Sequence, residues 1–192
     1  EPSSESEAGN ARLGGLTNEF LVNSVIPRLQ SSAPGTSVAT NGSDSNPGTI
    51  TQPWKTLRKA IRTLPTGSTL YIRGGDYDAA GATYAADDIN FLNSGTAENP
   101  ITLTNYPGEQ AIIHLNGKNA FSCYWREEKT TVAKTDYIRI IGTDVTPRTL
   151  PNGVVSQKGI VIQGVTNETQ IAIHPFGCDY WEIAGIDFID VR

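Results

Sequence analysis

Asp136-Tyr-Ile-Arg-Ile-Ile-Gly-Thr-Asp-Val145 and Asp179-Tyr-Trp-Glu-Ile-Ala-Gly-Ile-Asp-Phe188 align without a gap. Asp, Tyr, Ile, Gly and Asp match, and most of the remaining apolar positions face apolar ones. The offset is 43 residues, which reads as twice a stacked coil of roughly 21 to 22 residues. Lys158-Gly-Ile-Val-Ile-Gln-Gly164 sits near the midpoint. A fixed period belongs to stacked repeats, in which one coil cannot bury its own apolar face. In each copy Ile138 and Ile140, and Trp181 and Ile183, point inward, while Arg139 and Glu182 point out. Gly142 and Gly185 turn a corner and reset the alternation, so that Val145 and Phe188 point inward.

Around this repeat, from Ser68 onward, short apolar runs recur, each bounded by Gly, Asn, Asp or Pro. They are Thr69–Ile72, Ile89–Leu92, Ile101–Thr104, Ala111–Leu115, Tyr137–Ile141, Ile160–Ile162, Ile171–His174 and Trp181–Ile189. Ile, Val, Tyr and Thr are frequent in them, as strands prefer. No second long helical period intervenes, which argues against an alternating strand–helix sheet and for a sandwich or a solenoid. The repeat decides for a solenoid. Residues 68–192 then hold about five or six coils stacked at about 4.8 Å.

Upstream, residues 36–67 are a turn-rich link, with a short strand near Ser37–Thr40, followed by one helix. Thr51 is the expected N-cap and Pro53 the first helical residue. Trp54, Leu57, Ala60, Ile61 and Leu64 share one face. Lys55, Arg58, Lys59 and Arg62 share the other, a solvated basic face that an anionic glycan can also touch. This helix is placed to cover one exposed end of the coils, which is an edge hazard. The chain stops at Asp190-Val-Arg192, at the end of a strand. Either it is a piece of a longer solenoid or something else covers that end. Residues 1–35 combine a polar tail with an apolar segment, Leu16–Leu29, whose spacing fits helix and strand alike. Phe20, Val22, Val25 and Ile26 are candidate assembly residues, able to add to another chain's open edge and build a head-to-tail fibre.

Composition narrows the function classes. The 192 residues include 19 Gly and 11 Pro, only 18% are charged, and the net charge is −5. A highly charged disordered chain is excluded. No run approaches the roughly 18 apolar residues of a membrane span, and no basic footprint invites nucleic acid. Without Met or a signal peptide, the chain reads as a mature or trimmed product. Cys123 and Cys178 are either one disulfide of an exported protein or two unrelated buried thiols. Asn41-Gly-Ser43 and Asn167-Glu-Thr169 are glycosylation candidates in a glycosylating host.

Three stretches carry a resemblance: Asn41-Gly-Ser-Asp-Ser-Asn-Pro-Gly-Thr49, Gln52-Pro-Trp-Lys-Thr-Leu-Arg-Lys-Ala60 and Gly67-Ser-Thr-Leu-Tyr-Ile-Arg-Gly-Gly-Asp-Tyr77. With Ser94-Gly-Thr-Ala-Glu-Asn-Pro-Ile-Thr-Leu-Thr-Asn-Tyr-Pro-Gly-Glu109, they resemble the N-terminal part of extracellular right-handed parallel β-helix proteins. Residues 37–192 are most similar to the pectate-lyase-like polysaccharide lyases. The resemblance implies an all-β, right-handed parallel β-helix with one short N-terminal capping helix, secreted or at the cell surface, and an acidic polysaccharide or other glycan as partner. The same opening precedes lyases, hydrolases, epimerases and surface proteins, so it marks a fold before an activity.

Such lyases cleave by β-elimination. A Ca²⁺ ion or a basic residue neutralises the uronate carboxylate, and a Lys or Arg removes the adjacent proton. No acidic cluster with a matching Lys is present here, so no catalytic residue is carried over. Asp144, Asp187 and Asp190 are the candidate Ca²⁺ ligands on one outer face, with solvated turn caps as the bland reading. Asp87 and Asp88 beside Asp76 and Asp78, and the Asp44–Asn46 loop, read as turns. His114 and His174 read as surface residues too far apart for one metal. Tyr124, Trp125, Tyr180 and Trp181 either stack on sugar rings or pack between coils. Phe121-Ser-Cys-Tyr-Trp125 and Phe176-Gly-Cys-Asp-Tyr-Trp181 look alike, and a bridge between their cysteines would tie the Arg126–Lys134 excursion to a later coil. The competing function is a non-catalytic structural subunit.

Overall fold

The computed structural model describes residues 35–79, 89–116, 120–124, 134–164 and 171–191, without the side chains of Ile89, Asn90 and Tyr124. The first strand, β1 (Thr36–Val38), is followed by an extended segment in which Trp54 bridges Val38. The Trp54 ring is buried and its Nε1 donates to the Asn46 carbonyl at 2.9 Å. The helix α1 (Leu57–Thr63) therefore starts later than Thr51 and Pro53 indicate, with Thr56 as its N-cap. Asp44 fixes that start. Its Oδ1 accepts from the N–H groups of Lys55 and Thr56 (3.0 and 2.9 Å), and its Oδ2 from the Thr56 hydroxyl (2.8 Å). Burial pushes the Asp44 carboxyl up, but the Thr56 and Lys55 hydrogen bonds and the Lys59 charge bring it below its ordinary value. Leu57, Ala60 and Ile61 are the buried face of α1.

From Thr69 the chain adds strands in a repeating order. The first turn is β2 (Thr69–Ile72), β3 (Gly75–Asp78) and β4 (Ile89–Asn90), and the second is β5 (Ile101–Asn105), β6 (Ala111–His114) and β7 (Phe121–Tyr124). The third opens with β8 (Ile138–Ile141). It then detours through the hairpin β9 (Asp144–Thr149) and β10 (Val155–Lys158), and resumes as β11 (Ile160–Gln163) and β12 (Ile173–Phe176). The fourth contributes β13 (Glu182–Ala184) and β14 (Ile186–Ile189). The first three turns each feed one strand to each of three parallel sheets and the fourth feeds the first two, ordered β1-β2-β5-β8-β13, β14-β11-β6-β3 and β12-β7-β4; among the described residues the hairpin alone is antiparallel.

The inward side chains form files across the turns. Leu70, Leu103, Ile140 and Ile183 are successive partners in the first sheet. Tyr77, Ile113, Ile162 and Phe188 are successive partners in the second. Leu70, Leu103, Ile140, Ile113 and Ile162 are fully buried, each such side chain contributing about 1.5–3 kcal/mol. Ile183 and Phe188, in the last described turn with a strand on one side only, remain 41% and 48% exposed.

Two expectations change. Thr69 lies opposite Thr102, Thr102 opposite Arg139, and Arg139 opposite Glu182, steps of 33, 37 and 43 residues. The 43-residue offset is thus one turn rather than two, and the described chain from Ser68 makes four turns, not five or six. The hairpin is what lengthens the third turn, and Lys158–Gly164 belongs to a different sheet of that same turn. The alignment also stops being structural after the glycines. Asp144 and Val145 enter the hairpin, whereas Asp187 and Phe188 pair with Val161 and Ile162. The hairpin has a packing role: Leu150 buries against Ile112 and Val161, apolar residues on the outer side of the second sheet. That explains why β6 and β11 show no alternation.

Asn105 secures the corner after β5. Its buried amide donates to the Tyr106 and Glu109 carbonyls (3.2 and 3.0 Å). Its Oδ1 accepts from the N–H and hydroxyl of Thr143 one turn on (2.7 and 3.0 Å). Cys123 and Cys178 form a disulfide linking β7 to the segment between β12 and β13.

Candidate functional site

The repeat that reveals the fold also builds a surface, because residues 43 apart stack outward as well as inward. The Asp179 N–H donates to Asp136 Oδ1 at 2.7 Å. Lys134 Nζ lies 2.6 Å from Asp179 and 3.5 Å from Asp136. Tyr137 and Tyr180 stack face to face, ring centroids 4.4 Å apart and planes 6° from parallel. Arg139 Nε donates to Glu182 Oε2 at 2.6 Å. Ala97, Pro100, Tyr137, Arg139, Tyr180 and Glu182 line a groove of about 340 Å³. Both tyrosines adopt the left-handed backbone, with φ of 57° and 59°. Tyr180 keeps 68% of its surface exposed. Desolvation and the neighbouring Tyr180 push the Tyr137 phenol up from its ordinary value.

A second cluster lies where α1 meets β3. Lys55, Arg58, Asp76 and Asp78 line a groove of about 190 Å³ with Thr40 and Tyr77. Across β6, the His114 ring contacts Asp76 at 2.9 Å, and Asn116 Nδ2 donates to Asp78 at 2.8 Å. Lys59 of α1 is exposed, and Lys55, expected on the same helix face, is exposed just ahead of the helix start.

A third cluster joins the first two turns. The Arg73 guanidinium grips the Glu109 carboxylate through Nε and Nη2 (2.9 and 2.8 Å), and the Gly74 N–H donates to it at 2.6 Å. Arg73 also lies over the Tyr106 ring, 4.5 Å from its centroid. This pairing holds Glu109 below the ordinary carboxylate range and raises Arg73. Beside it is a polar cavity of about 550 Å³, lined among others by Asn41, Asn46 and Thr51.

The candidate Ca²⁺ ligands do not assemble. Lys158 Nζ sits 2.6 Å from Asp144 Oδ1, and Asp144, with the charge of Asp187, raises the Lys158 ammonium from its ordinary value. Lys158 is thus already the cation paired with Asp144, and the charge of Asp187 acts on the same ammonium. Asp190, with a left-handed φ of 53°, faces Asn152 Nδ2 at 3.5 Å. Among the described residues no three His, Cys, Asp or Glu converge as metal ligands do. These residues do not fit a Ca²⁺ ion. In the Asp44–Asn46 loop the groups are engaged too: Asp44 at the helix start, and Asn46 Nδ2 on the Pro53 carbonyl at 2.9 Å.

His114 and His174 lie in different sheets, on β6 and β12. Trp181 packs inward, edge-on to Phe91 with centroids 5.3 Å apart, and its Nε1 donates to the Thr135 carbonyl at 2.8 Å. It leaves the sugar-stacking candidates; Tyr180 stays among them. Asn41 is exposed. Asn167, Trp125, Asp87, Asp88 and the assembly candidates Phe20, Val22, Val25 and Ile26 fall outside the described residues. Tyr137 and Arg73 were not singled out by the sequence. The signal for Tyr137 was the repeated Asp-Tyr pair, which aligns it with Tyr180; nothing local marked Arg73. No helix among the described residues is long and apolar enough to cross a membrane.

Comparison with known proteins adds the following. The family model "Pel9A-like, right handed beta helix region" matches residues 36–190. The uncharacterized protein YwoF of Bacillus subtilis (strain 168) is 24% identical over 163 residues, 83% of this chain and 33% of that protein. Pectate lyase PEL9 of Emericella nidulans is 38% identical over 76 residues, 40% of this chain and 17% of the enzyme. A rhamnogalacturonan lyase of known structure superposes with a TM-score of 0.42 at 19% identity, covering 74% of this chain and 38% of that one. The chain spans a third or less of the length of the curated relatives it matches.

Proposed function

The chain belongs to the Pel9A-like right-handed β-helix family, and from that premise we propose that it is a secreted, polysaccharide-lyase-like module that recognises an acidic polysaccharide. The match of residues 36–190 carries the reading, and the pectate lyase relative supports the substrate class. Cations at and just before α1 supply the complementary charge: Lys55, preceding the Thr56 N-cap, and Arg58 at the groove beside β3, and Lys59 and Arg62 along the helix. Export agrees with a disulfide-bonded chain. The three parallel sheets are read as closing into a right-handed solenoid, with α1 over its first turns. Cleavage by β-elimination is the reaction class that goes with this reading, through groups other than Asp144, Asp187 and Asp190.

Electrophoresis through gels containing polygalacturonate or uncharged dextran tests the proposal. Retardation by polygalacturonate alone supports it; equal mobility in both gels contradicts it. Unsaturated uronide products, followed by ultraviolet absorbance, report cleavage in the same samples.

A further inference from the structure

We infer that the groove between α1 and β3 is a subsite for a single uronate residue, held by its carboxylate at Lys55 and by its ring hydroxyls at Asp76 and Asp78. The inference rests on the reading of this chain as a binder of acidic polysaccharide, and it adds that free hydroxyls are read together with charge.

The groove is lined by groups of opposite charge. Arg58 reaches it from α1 and Lys55 from just ahead of that helix, while Asp76 and Asp78 reach it from β3. The main-chain donors at the helix start are already used. Asp44 takes the Lys55 and Thr56 N–H groups, and the Thr56 hydroxyl takes that of Lys59. What this side offers a ligand is therefore side-chain charge. Lys55 is exposed, and its ammonium has no ion pair among the described residues.

The β3 side supplies acceptors. Asp76 and Asp78 flank the buried Tyr77 on the strand, so both carboxylates leave by its outer face. Each is held from the next turn through one oxygen. Asp76 Oδ1 lies 2.9 Å from His114 Nε2, and Asp78 Oδ1 accepts from Asn116 Nδ2 at 2.8 Å. No further hydrogen bond or ion pair engages either carboxylate among the described residues, so Oδ2 of each is open. Two acceptors oriented in advance by their neighbours lower the ordering cost of binding a donor. A ligand carboxylate cannot be that donor, whereas a sugar hydroxyl is one.

Charge then sets the orientation. A uronate turned the other way brings its carboxylate against two carboxylates; in the inferred pose it meets Lys55, and its hydroxyls meet acceptors. The space suits one ring rather than a longer ligand, since about 190 Å³ is below the roughly 300–1,000 Å³ of sites for drug-sized molecules.

Titration calorimetry of the full chain with tetragalacturonate and with its 2,3-O-acetylated form tests this. Both ligands carry the same carboxylates, and only the first has its ring hydroxyls free. The native chain is expected to bind the acetylated form about tenfold or more weakly, having lost hydrogen bonds to charged groups. Asp76→Ala and Asp78→Ala test the sign. Each deletes a negative charge beside the cations, so a surface that reads charge alone binds tetragalacturonate more tightly in both variants. The inference predicts the opposite, a weakening by about fivefold or more in each. Both side chains are exposed, and thermal melts verify that the variants are folded. Equal affinity of the native chain for the two ligands overturns the subsite, as does unchanged or tighter tetragalacturonate binding in either variant; recognition by charge then stands without it. Absence of tetragalacturonate binding by the native chain overturns the acidic-polysaccharide reading and the subsite with it.

Discussion

Gly142 and Gly185 lie back to back on successive turns, and a Cβ on either would collide with the carbonyl oxygen of the other. The Gly142 N–H donates to the Ala184 carbonyl at 2.8 Å, so the approach belongs to the ladder itself. Gly185 also has a φ of +67°.

Gly142→Ala is therefore expected to destabilise the chain by steric overlap alone, by about 1–3 kcal/mol or more. Gly108 offers the matched contrast, with a φ of +76° and nothing near its Cβ position. Gly108→Ala is expected to lose only about 1–2 kcal/mol from backbone strain. Thermal melts of the two variants separate the effects, and a smaller loss at Gly142 than at Gly108 refutes the close approach.

Asn105→Ala removes four hydrogen bonds at a buried corner. A loss of about 2–4 kcal/mol is expected, since the Thr143 N–H and two carbonyls are left without their partner. Urea denaturation measures it. Thr143→Val, which keeps the N–H bond, should lose less.

Cys178→Ser opens a covalent loop that spans 55 residues of sequence separation. The expected loss is about 2–4 kcal/mol. Reduction of the native chain should reproduce the Cys178→Ser midpoint, whereas reductant should leave the variant's own midpoint unmoved.

The Arg73 guanidinium holds the folded Glu109 carboxyl below its unfolded value of about 4.3. A depressed carboxylate contributes its stabilisation above the unfolded pKa and loses it as pH falls through the folded one. Stability measured from pH 6 downward should thus decline below about pH 4.3, and Glu109→Gln should lower the neutral-pH plateau and flatten that decline. A Glu109→Gln profile parallel to the native one would refute the coupling.

Much of the fold was legible because stacking places like chemistry at like height. Ile140 over Ile183, Arg139 over Glu182 and Gly142 over Gly185 are all visible as one gapless alignment. The turn length was misread because the hairpin between Ile141 and Ile160 enlarges a turn without disturbing the strands on either side. The strand Gly75–Asp78 was hidden because only Tyr77 faces inward. The helix start was displaced because its true anchor, Asp44, lies 12 residues from the Thr56 it holds. At the surface, Tyr180 was legible as an exposed aromatic, but its left-handed backbone was not, since no sequence rule assigns tyrosine there. Asp144 and Asp187 looked like paired ligands because the alignment does not show that Asp144 opens a hairpin whose far strand sets Lys158 against it.

Titration of the native chain with tetragalacturonate at low ionic strength tests the central claim most directly. Saturable binding is predicted, weakened by about two- to fivefold for each of Lys55→Gln and Lys59→Gln, the factor of an exposed ion pair worth about 0.5–1 kcal/mol. Heats no greater than dilution, or binding indifferent to both substitutions, would contradict recognition of an acidic polysaccharide through α1 and the Lys55 ahead of it.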